Sequence, residues 1–339
     1  MRFRPTGTIL LMLVLSVAAG GCSRTQSERG VAPVWCSLPV RQLLAAVFLL
    51  VLIPMELKAQ ELTPRAYWPA PQGTRVATVG MAYTDGDTVP DPSLPIVGFD
   101  SKITTTIVGY LQTIELFGRS ANLVFDVPYS SGNTVAEHPE LGSLERDYRG
   151  LGDIGATLSI NLMGAPAMNR EEFAELRANP RPILGASLKV VAPTGDYDND
   201  RVINVGANRW AARVELGYIA PLAPRLLLEL QAGIWFMGDN DDFLGLTREQ
   251  EPIYAFQANL VKRFSPGFWL SLDGNYYRGG RSRLDGIRLN DLQRDSRIGV
   301  SMAFPVLKRN AVKFSVAHGS LNDSDESFVQ YTMALQHLF

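Results

Sequence analysis

The sequence predicts an all-β protein, a transmembrane antiparallel up-and-down β-barrel of about 12 strands within a range of roughly 10–14. Three observations lead there. From Arg75 onward, apolar and polar residues alternate in short segments, the period of a strand with one face in lipid and the other on water or polar side chains. The connections between these segments alternate between long polar loops and tight turns, as in outer-membrane barrels. The chain ends on a strand whose one face carries Val329, Tyr331, Met333, Leu335 and His337 and closes on the aromatic Phe339. A half-buried edge strand, or a soluble β-sandwich, shares the periodicity but explains neither the loop alternation nor the terminal aromatic.

In order, the expected strands begin with Arg75–Thr84, where Ala77, Val79, Met81 and Tyr83 share a face. Lys102–Thr113 is less regular, because threonines interrupt Ile103, Ile107 and Leu111. Asn122–Tyr129 sets Leu123, Phe125, Val127 and Tyr129 on one side. Asp153–Leu162 is the clearest, with Ile154, Ala156, Leu158, Ile160 and Leu162 opposite Asp153, Gly155, Thr157, Ser159 and Asn161. Leu184–Val191, Arg209–Ile219, Leu226–Phe236, Tyr254–Phe264, Phe268–Tyr277, Arg297–Phe304, Ala311–His318 and the terminal strand complete the set. Long polar connections are expected at Asp85–Asp100, Ser130–Gly150, Pro193–Asn208, Gly238–Pro252, Gly279–Asp295 and Gly319–Ser327, and short ones at Gly118, Pro221–Pro224, Ser265–Gly267 and Pro305–Asn310. An even strand count leaves both ends of the barrel chain in the periplasm. Gly164–Pro182 departs from the rule. There Asn169–Arg177 reads as a short helix, with Asn169 as cap, Glu171 and Glu172 at the positive end of the dipole, and Met168, Phe173 and Leu176 as a small apolar face. It lies under the barrel mouth or offers a docking surface for a periplasmic partner.

With Lys+Arg 32 against Asp+Glu 34, the composition gives no electrostatic case for nucleic acid as a partner. Mean hydropathy near zero is too polar for a helical membrane protein and normal for a barrel. Two apolar runs, Thr8–Gly20 and Leu43–Pro54, follow basic residues and are too short to span a bilayer, which is signal-peptide character. Ala59 before Gln60-Glu61 is the better exit, so residues 1–59 are expected to be removed by cleavage after Ala59, and the doubled signal suggests a start set too far upstream. Residues 60–74 are then a short periplasmic segment, and 75–339 the barrel. Ala19-Gly20-Gly21-Cys22 resembles a lipoprotein box only faintly. Cys22 and Cys36 both precede the cut, so a cysteine-free mature chain needs no disulfides in an oxidising periplasm.

Gly150-Leu151-Gly152-Asp153, Asn161–Ala167, Leu188–Asp198 with its Pro193-Thr194-Gly195-Asp196-Tyr197-Asp198 run, and Val205-Gly206-Ala207-Asn208-Arg209-Trp210 together resemble the transporter family labelled for the MetA pathway of phenol degradation. The resemblance covers most of the mature chain and implies a Gram-negative outer-membrane barrel, a channel or uptake porin for aromatic or other hydrophobic compounds. It carries over no site residues. Ala207 stands where family members commonly have threonine.

Alternation places Asp126, Asp153, Asn161, Lys189, Arg209, Arg213, Glu215, Glu229, Gln231, Asp273, Arg297 and Lys313 on inward faces. Of these, Asp126, Asp153, Lys189, Arg213, Glu215, Glu229, Asp273 and Lys313 are the lumen and selectivity candidates. Both signs are present, which fits an internal ion-pair network filling a narrow barrel, a solute-lining constriction, or both. Aromatics near strand ends form interfacial girdles, while Trp235 and Trp269, if inward, can stack on an aromatic solute. Asp196–Asp200 and Asp239–Asp242 are solvated acidic loops or calcium-type oxygen clusters that lack an EF-hand pattern. Tyr331, His337 and Phe339 form the expected assembly signal. A serine hydrolase would need an activated serine, and only His138, His318 and His337 exist; His318 with Ser320 lacks a third partner in register. The expected function is passive passage of small, hydrophobic or aromatic solutes without cofactor, with outer-membrane lipid and the barrel-insertion machinery as partners and a monomer or trimer as the assembly. The alternative is a structural or binding barrel without an open pore, or, less in keeping with the sequence, a lipid hydrolase.

Overall fold

The structure, a computed structural model, describes residues 64–87, 99–138, 142–319 and 328–339. Both apolar amino-terminal runs, the two cysteines and the cut after Ala59 lie outside these residues. In chain order the elements are β1 Arg75–Asp87, β2 Phe99–Leu116, β3 Arg119–His138, β4 Gly142–Leu151, β5 Ile154–Met163, α1 Arg170–Ala178, β6 Ile183–Ala192, β7 Ala211–Ala223 and β8 Leu226–Met237. There follow β9 Asn240–Phe243, β10 Leu246–Gln250, β11 Ile253–Ser265, β12 Phe268–Gly279, β13 Ser282–Leu284, β14 Ile287–Arg288, β15 Gln293–Leu307, β16 Asn310–Gly319 and β17 Phe328–Leu338.

Twelve of these strands close an antiparallel ring in which every neighbour in the chain is a neighbour in the wall. The seam between first and last strand runs from Val76↔Leu338 to Gly86↔Phe328 without a shift. Each strand meets or exceeds the ~9–11 residues needed to cross a bilayer. The alternation has the expected sense. Val79, Met81, Leu216, Phe256, Leu272, Met333 and Leu335 stand about half exposed on the outside, while their in-between neighbours Gly80, Ala82, Glu215, Gln257, Asp273 and Ala334 are buried. An apolar outer band on a closed wall is the arrangement a bilayer demands of strands. The protein is thus an outer-membrane β-barrel.

The twelve wall strands coincide with the twelve segments expected from periodicity. The differences lie beyond the membrane. Ser130–Gly150, expected as a loop, is largely a hairpin in which β3 runs on to His138 and pairs with β4 from Tyr129↔Leu151 to His138↔Gly142. His138, expected in a loop, ends β3. Gly238–Pro252 and Gly279–Asp295 likewise contain β9, β10, β13 and β14, which pair into a separate four-stranded sheet. The inner face of these strands buries mainly polar side chains such as Asn240, Arg248, Gln250 and Ser282, so no apolar period marks them and their sequence reads as loop. Leu244-Gly245 and Asp285-Gly286 make their tight turns, all four residues at positive φ.

One stretch of wall is held differently. β1 and β2 pair at Arg75↔Gln112 and Asp87↔Asp100, two pairs of a single register, and no pair joins them between these ends among the described residues. The strands nevertheless stay side by side, since a Cβ on Gly109 would lie 3.7 Å from the Thr78 Cβ.

The connection between β5 and β6 carries the expected helix. Asn169 accepts from the N–H groups of Glu171 and Glu172 at 2.8 and 2.9 Å, and Glu172 accepts from the Asn169 N–H at 2.9 Å, a complete capping box. At the carboxyl end, the Phe339 N–H donates to the Arg75 carbonyl at 3.0 Å, and its ring meets His337 edge-on at 4.9 Å. The His337 ring is hydrogen-bonded to Asn310 at 2.9 Å. Phe339→Ala is expected to lower the yield of folded, heat-modifiable barrel in membranes while leaving the conductance of the folded fraction unchanged. An undiminished yield would remove the assembly role.

Candidate functional site

The lumen is organised in two levels. On the upper one, Asp126 of β3 reaches across β5 to Lys189 of β6, with oxygen to Nζ at 3.2 Å. Lys189 is the register partner of Arg213 on β7. Arg213 lies 3.6 Å from Glu215 two positions along its own strand, and 5.3 Å from the ring of Trp235 on β8. Four of the residues expected in the lumen therefore form one charged row, two adjacent cations flanked by a carboxylate at either end, with an aromatic face beside it.

On the lower level, Glu229, Asn259 and Asp273 are register neighbours across β8, β11 and β12, all buried. Asp273 accepts from Ser301 Oγ at 2.6 Å. Lys313 faces inward on β16 as the partner of Ala303 and Ala334. Asn161, Gln231 and Arg297 are buried inward positions, and Arg209 sits just ahead of β7 with its guanidinium donating to Gln250 at 2.5 Å. Trp269 is inward and packs at the periplasmic end.

What closes that end is the segment before β1. In this short segment Tyr67, Trp68 and Pro69 are buried inside the wall. The Tyr67 ring rests over Gly185 and Gly217, where a Cβ on either glycine would overlap it. Its hydroxyl donates to Glu215 Oε1 at 3.0 Å and is bonded to Ser187 Oγ at 2.9 Å. Burial, reinforced by the Glu215 carboxylate, pushes this hydroxyl well above the ordinary tyrosine range. The Arg65 N–H donates to Glu229 at 2.7 Å, its guanidinium lies 4.0 Å from the same carboxylate, and Trp68 is held between Arg65 and Arg263 at 4.3 and 5.0 Å. Burial lowers the Arg65 guanidinium to about 10, and Glu229 opposes that shift. Tyr67 and Trp68 share one apolar cluster with Met168 and Leu176 of the α1 region and with Ile183, Ile219, Leu227 and Val261 of the wall. The segment and α1 thus plug the β6–β12 side of the barrel at its periplasmic end. Sequence reasoning did not assign Arg65, Tyr67 and Trp68 to the lumen. The signal was there in two aromatics and an arginine within a stretch read as a short periplasmic segment.

Asp153 is placed elsewhere. It sits in the turn between β4 and β5, where its carboxylate accepts from the N–H groups of Thr194 at 3.0 Å, Gly195 at 2.8 Å and Ala207 at 2.8 Å. Asp196 makes the neighbouring tie, accepting from the Leu151 N–H at 2.7 Å. The long outer loop 193–210 is therefore pinned at both ends by one carboxylate. The two acidic loops meet through Asn199 and Asp242 at 2.8 Å and through the Tyr197 hydroxyl on the Asp242 carbonyl at 3.0 Å. Asp153→Ala is expected to free this loop, so that trypsin nicks the folded protein at half-exposed Arg201 while the wild type resists. Equal rates of cutting would refute the pin. Of the histidines weighed for hydrolysis, His318 and His337 share the outward face of their strands with Phe314 and Tyr331, and Ser320 lies outside the described residues.

The family described as "Putative MetA-pathway of phenol degradation" matches residues 81–335. No curated protein matches the chain. Among solved structures, the COG4313 outer membrane channel from Pseudomonas putida F1 is similar at 21% identity and a TM-score of 0.66, covering 82% of this chain and 100% of that one. The Pseudomonas putida toluene transporter TodX is similar at 11% identity and a TM-score of 0.44, covering 84% and 95%. The first likeness bears on the fold, the same closed barrel.

Proposed function

The chain belongs to the phenol-degradation MetA-pathway family, and from that membership we propose that it is a passive outer-membrane channel for small apolar or aromatic solutes. The observation that carries this reading is the combination of a periplasmic end filled along its β6–β12 side with a side wall in which β1 and β2 pair only at their ends. A hydrophilic pore would run straight through the barrel. Here the straight route ends on Tyr67, Trp68 and α1 along the β6–β12 side. The wall between β1 and β2 is its weakest part, because backbone groups without partners are costly against lipid. An apolar solute entering from outside meets Trp235 beside Arg213 and leaves through that seam into the bilayer, where it is soluble. No energy source is needed, since flow follows the gradient.

Oxidised Thr78→Cys/Gly109→Cys tests the route, because the Cβ spacing of 3.7 Å at this pair suits a disulfide. Uptake of toluene by cells carrying the cross-linked barrel is expected to fall to background and to return on reduction, with wild-type cells indifferent to oxidant. Unchanged uptake in the cross-linked form would sink the lateral route. Absence of any solute passage in liposome swelling and cell uptake alike would sink the channel itself.

A further inference from the structure

The outer side of the molecule holds a second concavity of about 560 Å³, separate from the lumen levels above. It lies between β4, which pairs with β3 alone, and the loop 196–205 that Asp153 and Asp196 pin opposite it. Tyr148, Tyr197, Ile203 and Val205 line it together with Arg146, which shares the β4 face of Tyr148, whereas Arg149 at its rim stands on the opposite, exposed face of that strand. Tyr148 and Ile203 belong to a small apolar core with Phe243 and Leu284, which fixes that side in place.

The charges in this cavity are not equivalent. Each acidic group already has a partner. Asp147 accepts from Asn133 at 2.9 Å, Asp196 from the Leu151 N–H at 2.7 Å, and Asp198 is paired with Arg201 at 2.5 Å. Among the described residues Arg146 and Arg149 make no ion pair, and the Arg146 Nε is buried without a hydrogen bond. A guanidinium is always charged and offers its donors in a planar fork matched to a carboxylate. A buried donor of that kind is costly to leave unmet. The volume is that of a small-molecule site, here with a lining more polar than apolar.

We propose that this cavity is a capture site for small aromatic carboxylates, the ring lying against Tyr148, Tyr197 and Ile203 and the carboxylate on Arg146. The inference deepens the channel reading above, since it names an anionic member of the aromatic solutes and the place where it is first held. Binding here raises the local concentration at the outer mouth. It does not require that the solute pass.

Calorimetric titration of the detergent-purified mature protein with benzoate tests it, with benzyl alcohol as the uncharged counterpart and inorganic phosphate as the charge without a ring. Saturable benzoate binding is expected, with benzyl alcohol at least about tenfold weaker, as one charge-assisted contact implies. Arg146→Gln is expected to weaken benzoate by about tenfold and Arg149→Gln to leave it unchanged, with heat-modifiable mobility confirming that the barrels are folded. Raised salt is expected to weaken it further. Equal affinity for benzoate and benzyl alcohol, or unaltered benzoate affinity in Arg146→Gln, would overturn the proposal. So would displacement of benzoate by equimolar phosphate, which marks a site for phosphate or lipid headgroups. Because the readout is equilibrium binding, a barrel that binds benzoate yet passes no solute refutes the channel and leaves the capture site standing.

Discussion

Gly217→Val is expected to raise single-channel conductance severalfold in planar bilayers. The Tyr67 ring lies where the new side chain would stand, and the β7 backbone cannot retreat because its neighbours β6 and β8 hold it from Ile183↔Ile219 through Ala211↔Met237. The flexible partner is the amino-terminal segment, so Tyr67 leaves. Its hydroxyl then abandons Ser187 and Glu215, and Trp68 loses the apolar cluster it shares with Met168 and Leu176. Tyr67→Ala reaches the same open state from the other side, and the two changes together are expected to give no more than either alone, because both remove one obstruction. Unchanged conductance in all three variants would show that the segment does not limit flow.

Glu229→Ala is expected to destabilise the folded barrel by about 3–5 kcal/mol, the cost of removing one partner from a buried ion pair. Glu229 is 2% exposed, accepts from the Arg65 N–H and lies 4.0 Å from its guanidinium. With the carboxylate gone, Arg65 is left buried beside Arg263, the other cation that stacks on Trp68. The measurement is the urea midpoint of the detergent-folded protein followed by tryptophan fluorescence. Arg65→Ala/Glu229→Ala is expected to recover part of the loss. A midpoint within error of the wild type for Glu229→Ala would mean that the segment is held by its aromatics alone.

The wall was legible because lipid enforces a period. Val79, Met81 and Leu335 must face hydrocarbon while Gly80 and Ala334 must not, and that constraint is written residue by residue. The helix was legible for a similar local reason, since Asn169 and Glu172 satisfy each other within four residues. The lumen candidates were legible as inward positions, but not as a network. Asp126 and Lys189 lie 63 residues apart in sequence and meet only because β3, β5 and β6 fall into one register. Asp153 has the parity of a lumen residue and the environment of a loop pin. Parity fixes the direction of a side chain on a strand and says nothing once the chain has left it.

The sequence by itself determined the class of the molecule, the count of strands, the side of each strand that meets lipid and the place of the helix, because these depend on neighbours within a few residues. Only the tertiary structure decided what fills the barrel. That Tyr67 finds two glycines on adjacent strands, that Arg65 finds Glu229 164 residues away, and that β1 and β2 are tied at their ends alone all follow from register between distant strands. Register is set by closing the ring, and no local pattern carries it.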